Sequence, residues 1–314
     1  MRHSIRWLKR VWLIDFIMPL TLKQQRFITR TAFFILFLLA PLLNIFRLDL
    51  YEGNFILFGF DWTLGLAPFQ RGEASALEAA WNILYRVFIP VLSLLGLGVW
   101  IVWRYGRIYC GWLCPHFSVV ESINQLMVKA SGKPTIWESQ PLPGSAPTKA
   151  IYWLWTLLAA VGIGFLWAVS LLTYLLPPEV IYHNLFAGEL TRNQALFIGV
   201  ATLLFTFEFI FARHLFCRYG CAVGLFQSII WLANDRAMVV TFDKSRGDLC
   251  KDCLQDCDNA CPMRLQPRKR KRHMFTCTQC SECIQACDRV QQGDGLLRFK
   301  SSKVIPIKKW ESSE

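Results

Sequence analysis

The chain has 314 residues, of which 54% are hydrophobic, and its 34 lysines and arginines against 22 aspartates and glutamates give a formal net charge of +12. With a mean hydropathy of +0.33, this composition is typical of an integral membrane protein and argues against a water-soluble globular domain. All twelve cysteines occur in pairs or runs of regular spacing, so we expect the chemistry to depend on thiols.

Residues 1–30 predict a basic segment on the inner face of the membrane. The apolar run from Val11 to Leu22 is interrupted by Asp15 and Pro19, and no small-residue cleavage site follows it, so it does not fit a signal peptide. Basic residues precede this run at Arg2, Arg6, Lys9 and Arg10. We expect an interfacial helix that lies on the anionic inner leaflet.

Residues 31–240 predict a membrane domain of four transmembrane helices. Four apolar segments approach the ~20 residues with which a helix crosses ~30 Å of hydrocarbon. They are Ala32–Leu48, Asn82–Trp103, Ile151–Leu176 and Asn193–Phe211. Pro41 and Pro90 lie inside the first two segments and predict kinks, because neighbouring helices can satisfy the carbonyls that proline leaves free.

The basic residues predict the orientation of these spans. Lysine and arginine are concentrated before the first span, between the second and third, and after the fourth, whereas the other two loops hold mostly acids. The positive-inside rule therefore places both termini and the middle loop in the cytoplasm. A fifth span at Asn54–Phe69 would move that loop outside, so we expect this apolar stretch to lie on, or dip into, the outer face.

Two cysteine pairs of identical spacing follow the second and fourth predicted spans. They are Cys110 with Cys114, and Cys217 with Cys221, and an amphipathic run begins directly after each pair. Cys114 and Cys221 are therefore expected at helix N-caps, with Pro115 as the first helical residue. A helix N-terminus lowers the pKa of a thiol, so these four cysteines are a candidate redox or soft-metal site. The alternative is that they are small packing residues at helix ends.

The two halves of the membrane domain, each with two spans followed by a CxxxC pair, also suggest a weak internal repeat. Such a repeat would bring the four sulfurs together under the helix bundle.

Residues 241–300 contain the other eight cysteines in two runs of four, followed by a basic tail at residues 301–314. Bacterial dicluster ferredoxins use this kind of run, in which three close cysteines hold one cluster and the fourth reaches the other. That pattern assigns Cys250, Cys253, Cys257 and Cys287 to a first 4Fe-4S cluster, and Cys277, Cys280, Cys283 and Cys261 to a second.

The two runs depart from the ferredoxin pattern in two places. Asp288 stands where proline would follow the fourth cysteine, and the first run has one extra residue, Gln255 or a neighbour, between its second and third cysteines. Two structural zinc sites are an alternative, but zinc motifs normally join two pairs by a longer loop. Disulfides are a weaker alternative, because they suit a secreted domain.

Taken together, these motifs resemble the membrane-bound polyferredoxins of the NapH, NosR and CcoG (FixG, RdxA) group. The similarity is closest to the cytochrome oxidase accessory family CcoG, through residues 107–115 (RIYCGWLCP), 226–228 (FQS) and 295–299 (GLLRF). The resemblance implies electron transfer between the quinol pool or a cytoplasmic donor and a metal or periplasmic acceptor, and, for CcoG, copper reduction during oxidase assembly. Ala222 replaces the proline of the second CxxxCP motif. The further span and periplasmic domain that CcoG would have are not expected here.

Three further features have less specific interpretations. No CxxCH motif occurs, and only His214 of the five histidines lies at a span boundary, so haem ligation is not expected. The basic run 268–273 fits lipid headgroups, or tuning of a cluster potential, better than nucleic acid. Glu208 lies inside the fourth predicted span, where it is a candidate for proton or quinol chemistry, unless it simply pairs with Arg104 or Arg107.

The sequence therefore predicts an α-helical integral membrane protein with four transmembrane helices and a small α+β dicluster ferredoxin-like domain in the cytoplasm. The predicted location is the bacterial inner membrane, and the predicted function is electron transfer through two 4Fe-4S clusters to or from a site at the inner face, with copper as a further candidate metal. A quinol-oxidising subunit of a periplasmic reductase system and a non-redox metal-binding assembly factor are the alternatives. Expected partners are the lipid bilayer, the quinone pool or a cytoplasmic donor, and a respiratory or oxidase-assembly protein.

Overall fold

The structure is a computed structural model that describes residues 21–145, 147–251 and 253–301. The predicted interfacial helix lies almost wholly outside the described residues, as does the basic tail. The chain forms two compact units, one comprising Met1–Thr31, Trp100–Cys114 and Cys217–Glu314, the other Ala32–Val99 and Pro115–Phe216. We call the first the cysteine unit, because it contains all twelve cysteines, and the second the helical unit.

This division differs from the expected boundary at residue 240. Residues 100–114 and 217–240 group with the eight-cysteine region, so both CxxxC pairs belong to the same unit as the two cysteine runs.

Helices account for most of the described chain. The α-helices are α1 (Leu22–Leu39), α2 (Ala67–Gln70), α3 (Ala76–Ile83), α4 (Ile89–Tyr105), α5 (Ile108–Trp112), α6 (Pro115–Ser131), α7 (Ile151–Thr173), α8 (Pro178–Ala187), α9 (Arg192–Phe207), α10 (Ala222–Ala233), α11 (Asp256–Asn259) and α12 (Glu282–Val290). π-Helical turns occur at Leu84–Phe88, Glu208–Ala212 and Phe216–Gly220, and 3-10 turns at Lys244–Cys250 and Lys271–Met274. The strands are β1 (Phe46–Asp49), β2 (Asn54–Leu57), β3 (Phe60–Trp62), β4 (Met238–Phe242) and β5 (Leu297–Ser301).

Three helical segments among the described residues are long and apolar enough to cross a membrane: Ala76–Tyr105, Ile151–Thr173 and Arg192–Ala212. They correspond to the second, third and fourth predicted spans. The expected count of four is not confirmed, because the first predicted span is not one continuous helix.

The first predicted span ends early, at Leu39, and the chain turns into β1. Proline lacks an N–H and disfavours the helical conformation of the residue before it, so Pro41 ends α1 instead of kinking it. Asn44, with φ of 51°, completes the turn in the left-handed region. The prediction of a kinked helix over Ala32–Leu48 is therefore wrong.

Pro90, in contrast, is accommodated inside a continuous helical segment. The π-helical turn Leu84–Phe88 leads directly into α4, and proline cannot donate to the carbonyl of Arg86 four residues earlier. The indole Nε1 of Trp62 donates to that carbonyl instead, at 3.0 Å. The freed carbonyl is thus satisfied as expected, but by a side chain on β3 and not by a neighbouring helix.

Helix α7 is the centre of the helical unit. Half of the residues in its apolar stretch are buried, against 11% of those in the Arg192–Ala212 segment. α7 packs against α6 and α9, and Gly164 allows the α9 backbone to approach, since a Cβ there would lie 3.2 Å from the carbonyl oxygen of Thr202. The core of these contacts consists of Val119, Ile123, Ala160, Trp167 and Phe209.

The apolar stretch Asn54–Phe69, which we did not count as a span, forms no long helix. β1, β2 and β3 make an antiparallel meander, and α2 follows it. Its expected position at the outer face stays a prediction.

A two-stranded antiparallel sheet in the cysteine unit joins the two ends of the eight-cysteine region. β4 pairs with β5, so that Met238 lies opposite Ser301 and Phe242 opposite Leu297. The two ends of the region are therefore joined, and α11 and α12, which carry cysteines from the two runs, pack against each other.

Candidate metal centres

Four cysteines of the first predicted set line one pocket of the cysteine unit. They are Cys250, Cys253, Cys257 and Cys287, and the same pocket is lined by Phe242, Gln255, Arg268, Val290, Gln291 and Leu297. The first three come from the first run, whereas the fourth lies in α12, near the end of the second run. We call this the first pocket.

The other four cysteines line a second pocket. They are Cys261, Cys277, Cys280 and Cys283, together with Val240, Met263, Leu265, Pro267, Met274, Thr278 and Ser281. Each pocket thus combines three cysteines of one run with the fourth of the other, which is the crossed grouping that ferredoxin spacing suggests.

The local backbone shows how the two runs compensate for their different spacing. Gln255 and Ser281 both adopt the left-handed conformation, with φ of 58° and 65°, and each directly precedes the helix that carries the third cysteine of its run. Cys257 and Cys283 are then each the second residue of α11 and α12. Gln255 is therefore the counterpart of Ser281, and Leu254 is the extra residue.

Asp288 has a structural role that proline could not fill. Its Oδ1 accepts a hydrogen bond from the N–H of Gly295 at 3.1 Å, and its carbonyl accepts one from Gly293 at 2.7 Å. A Cβ on Gly295 would collide with Oδ1 of Asp288. These contacts hold the segment between α12 and β5 against the last cysteine.

The chemistry of the donor set fits iron-sulfur clusters. Burial raises the pKa of the Cys257 thiol to about 12, and burial also raises the pKa of Cys277 and Cys283. Such thiols release their protons when metal cations take their place. The backbone N–H groups of Leu265 and Leu296 donate to the sulfurs of Cys261 and Cys287, at 3.4 and 3.3 Å. In iron-sulfur proteins, hydrogen bonds to the cysteine sulfurs tune the potential of the cluster.

A single metal ion is a poorer fit to the same sulfurs. Zinc in a four-cysteine site binds each sulfur at about 2.3 Å, which requires all four to converge on one point. Among the described residues, no three histidine, cysteine or carboxylate side chains are grouped closely enough to hold one ion. This holds for the two pockets and for the CxxxC cysteines alike.

The CxxxC cysteines occupy the helix ends that the sequence predicts. α6 begins at Pro115, directly after Cys114, and Cys221 is the N-cap of α10, where its Sγ accepts a hydrogen bond from the N–H of Gly224 at 3.4 Å. Cys217 is buried in the preceding π-helical turn. The predicted N-cap role of Cys221 is confirmed.

Cys110 lies in the most polar part of this site. Its thiol donates to Oε1 of Gln227 at 3.4 Å, and its sulfur accepts from Nη2 of Arg107 at 3.8 Å. Burial raises the pKa of Cys110, while the charge of Arg107 opposes that shift and the charge of Cys221 adds to it. Cysteines of the two different pairs are thus within electrostatic reach of each other.

Residues 111–113 lie between the cysteines of the first CxxxC pair, at the end of α5, and we call them the CxxxC loop. They contact a loop of the second pocket. Gly111 faces the carbonyl oxygen of Thr278 so closely that a Cβ would collide with it. The indole of Trp112 donates to the carbonyl of Gln279 at 3.0 Å. Arg26, from α1, donates to the Gly111 carbonyl at 2.8 Å and forms an ion pair with Glu282 at the start of α12.

Three residues of this region were not predicted from sequence: Arg26, Arg107 and Gln227. Their contacts join positions that are 85 to 256 residues apart along the chain. Arg107 and Gln227 lie in the stretches 107–115 and 226–228 that carry the family resemblance, but sequence reasoning assigned them no role, other than Arg107 as a partner for Glu208.

Glu208 pairs with neither of the arginines suggested from sequence. Its Oε1 lies 3.3 Å from Nε2 of His116, within the helical unit and among the rings of Trp167 and Phe209. Arg104 instead donates to the carbonyl of Arg236 at 3.1 Å. The alternative interpretation of Glu208, a pairing with Arg104 or Arg107, is therefore wrong.

The basic run 268–273 is partly used inside the cysteine unit. Arg268 lines the first pocket and forms an ion pair with Asp258 at 2.9 Å. Lys271 donates to the carbonyls of Trp231 and Asn234, at 2.7 and 2.6 Å, and so caps the C-terminal end of α10. These contacts give two of its cations structural partners other than lipid.

Comparison with known proteins adds the family context. A family model described as a 4Fe-4S binding domain matches this chain twice, over residues 87–134 and 193–236. The chain is similar to ferredoxin-type proteins. Each matched segment contains one CxxxC pair, so the two matches support the predicted internal repeat, and both lie outside residues 241–300.

The curated relatives are distant. An uncharacterized protein of Methanocaldococcus jannaschii is 26% identical over 199 residues, which cover 62% of this chain and 65% of that protein. The putative electron transport protein YccM of Escherichia coli is 25% identical over 222 residues, covering 69% and 56%. The ferredoxin-type protein NapH of Haemophilus influenzae is 22% identical over 196 residues, covering 58% and 59%.

The chain thus spans less than two thirds of the length of these relatives. No solved structure matches it. The comparisons support a ferredoxin-type electron-transport family and do not single out the CcoG branch.

Proposed function

We propose that this membrane protein is an electron carrier that passes electrons through two 4Fe-4S clusters. The observation that carries the proposal is the pair of pockets, each lined by four cysteines from both runs. The first cluster would be held by Cys250, Cys253, Cys257 and Cys287, and the second by Cys261, Cys277, Cys280 and Cys283. Such clusters supply one-electron redox chemistry when bound.

The two pockets differ in a way that suggests a direction for the path. Three cysteines of the first pocket are partly exposed, whereas all four of the second are buried. The second pocket is also the one against which the CxxxC loop packs. We assign exchange with an external partner to the first pocket and the inward relay to the second.

Location follows from the spans and the basic residues. The three apolar helical segments support a membrane protein, and the positive-inside pattern of the sequence supports a cytoplasmic position for both pockets. We propose the bacterial inner membrane, where a quinone pool or a cytoplasmic protein could supply or take electrons.

Copper is our candidate for the CxxxC cysteines, although no three of them are grouped closely enough to hold one ion, so their sulfurs would have to move together when copper binds. Thiolates prefer copper(I) over copper(II), so a cupric ion that gains one electron from a reduced cluster would be retained as bound cuprous ion. The contact between the first CxxxC loop and the second pocket supports this path, and the two family matches favour an iron-sulfur cluster at the same cysteines as the alternative.

Quinol oxidation is a second candidate function. His116 and Glu208 form a titratable pair among aromatic rings at the end of an apolar helical segment, and ionisable groups there are candidates for proton transfer. A quinol releases two electrons and two protons, so such a pair could accept protons while the cysteine unit accepts electrons. A non-redox assembly factor is the remaining alternative.

Metal and sulfide analysis of anaerobically purified protein tests the main proposal. We expect about eight iron and eight sulfide per chain, because two cubanes contain that number. About twelve of each would add a third cluster at the CxxxC cysteines. Two zinc with negligible iron would overturn the proposal.

A variant with Cys110, Cys114, Cys217 and Cys221 all changed to serine tests the copper assignment. It should keep eight iron but lose copper(I) binding and the reduction of cupric ion by dithionite-reduced protein. Unchanged binding and reduction would leave these cysteines as packing residues, and quinone-dependent bleaching of the reduced clusters would favour the quinol pathway.

A further inference from the structure

Arg107 is a buried cation that forms no ion pair with a carboxylate in the part of the chain that the structure describes. The residue is 1% exposed. Of the other buried arginines, Arg26 and Arg47 form ion pairs with Glu282 and Asp49, whereas Arg213 donates to the neutral acceptors Asn124 and Pro134. Within residues 21–145, 147–251 and 253–301, no carboxylate forms such a pair with Arg107. Groups other than a carboxylate must therefore compensate the charge of Arg107.

The guanidinium makes contacts in two directions. Its Nη2 donates to the carbonyl of Cys217 at 2.9 Å and lies 3.8 Å from the sulfur of Cys110, so it touches both CxxxC pairs. Its Nη1 donates to the carbonyl of Thr276 at 3.4 Å, directly before Cys277 of the second pocket, and to Ser228 at 3.4 Å. One charge thus lies between the two cysteine sites.

The surrounding backbone leaves room for this group. A Cβ on Gly224 would collide with Nη2 of Arg107. The N–H of the same glycine donates to the sulfur of Cys221. The absence of a side chain at this position therefore creates the space that the guanidinium occupies next to the second CxxxC pair.

A buried charge is costly unless an opposite charge lies near it, and the neutral carbonyls and hydroxyl around Arg107 compensate it only in part. Thiolates and a cluster bound by four thiolates are anionic. Cys110 and Cys277 both lie within electrostatic reach of Arg107. The cysteine sites are therefore the groups that can balance this cation.

We propose that Arg107 is a positioning residue that couples the charge of the CxxxC cysteines to the redox potential of the cluster in the second pocket. This inference rests on the proposed function, since it requires a cluster there. The guanidinium lies against both sites and favours negative charge on either side. Negative charge that it already compensates at the CxxxC cysteines therefore makes the gain of an electron in the second pocket harder. Coupling of this kind acts equally in both directions.

An electron paramagnetic resonance redox titration of anaerobically purified full-length protein tests the coupling. In Arg107→Gln, the ratio of reduced to oxidised second cluster, measured at the wild-type midpoint, should fall about tenfold, which is ~59 mV for a one-electron couple. The first cluster should keep its potential. Arg107→Lys, which keeps the charge, should restore most of the potential that the second cluster loses in Arg107→Gln. Equal potentials in Arg107→Gln and wild type would overturn the inference.

Gly224→Ala provides a variant that keeps the charge. The added methyl group should displace the guanidinium. The potential of the second cluster should fall, as in Arg107→Gln, but by a smaller amount. Gly199→Ala is the matched control, because a Cβ there has open space and should change neither potential. If Arg107→Gln loses iron and cannot be titrated, Gly224→Ala takes its place. An unchanged potential of the second cluster in Gly224→Ala then overturns the inference.

A double-mutant cycle with Cys110→Ser tests the link itself. Cys110→Ser should change the potential of the second cluster when Arg107 is present and have little effect in Arg107→Gln. Equal changes in both backgrounds would mean that the two sites are independent. A wild-type protein that lacks the second cluster would overturn the proposed function instead, so the two failures are distinguishable.

Discussion

The two pockets are built from the same kind of cysteine run, yet their surroundings differ. The second has four buried cysteines, the CxxxC loop packed on it, and nearby Arg107, which forms no ion pair with any described carboxylate. The first has three partly exposed cysteines, the exposed Leu254 beside them, and a cation, Arg268, that is already neutralised by Asp258.

This contrast shows that a repeated motif can specify which cysteines meet without specifying what each site does. Solvent exposure, nearby charge and N–H···S hydrogen bonds set the potential of an iron-sulfur cluster. We therefore expect two different potentials from two similar motifs, with the second cluster the more sensitive to changes at the CxxxC loop.

The largest effect should come from replacing one cysteine of the second run at a time, because its cysteines line two different pockets. Cys287→Ser should abolish the cluster of the first pocket, although Cys287 belongs to the second run, because its sulfur lines that pocket. Cys283→Ser should abolish the other cluster. Each variant should lose about half of the iron and a different paramagnetic signal, and loss of the same signal in both would contradict the crossed grouping.

A bulkier residue under the second pocket should damage that pocket alone. In Gly111→Ala the new methyl group would collide with the backbone of Thr278, which cannot move as a flexible side chain would. We expect destabilisation of about 1–3 kcal/mol and weaker binding of the second cluster. Thermal unfolding and iron content measure both effects, and Gly162→Ala, which has open space, is the control.

The equivalent change at the first pocket is Gly295→Ala. Its methyl group would collide with Asp288 Oδ1, whose hydrogen bonds hold the segment after Cys287. The expected destabilisation is about 1–3 kcal/mol, because the Asp288 side chain can rotate away but the backbone nitrogen of Asp288, 2.9 Å from the added Cβ, cannot. Faster cluster loss from the first pocket only is the predicted readout. Gly247→Ala should be neutral, and equal damage to both pockets would argue against separate sites.

The smallest effect should follow deletion of Leu254. The deletion gives the first run the spacing of the second, and Gln255 can keep the left-handed position that Ser281 has in the other run. Since Leu254 is 65% exposed, little packing is lost. Both clusters should be retained at wild-type occupancy, and loss of the first one would mean that the extra residue is needed for its geometry.

The grouping of the eight cysteines could be anticipated from sequence because it depends on short spacings within a known kind of motif. The helix start at Pro115 and the N-cap at Cys221 were accessible for the same reason, since capping is a local property. The three long apolar segments were accessible because their composition alone distinguishes them.

The remaining features depend on contacts between distant residues. Pro41 follows the end of a helix, whereas Pro90 is accommodated in one, where a donor on another element, Trp62, satisfies the carbonyl that Pro90 leaves free. The partner of Glu208 is His116, 92 residues away in sequence, and nothing local to Glu208 indicates it. The same holds for the contacts of Arg107 with Cys217 and Thr276.

A redox titration of the anaerobically purified protein, followed by electron paramagnetic resonance, tests the central claim most directly. We predict two distinct one-electron signals, each appearing on reduction at its own potential, with only the signal of the second pocket shifted in Arg107→Gln. A protein that contains its full metal complement but shows no reducible signal, or one signal only, would contradict electron transfer through two clusters.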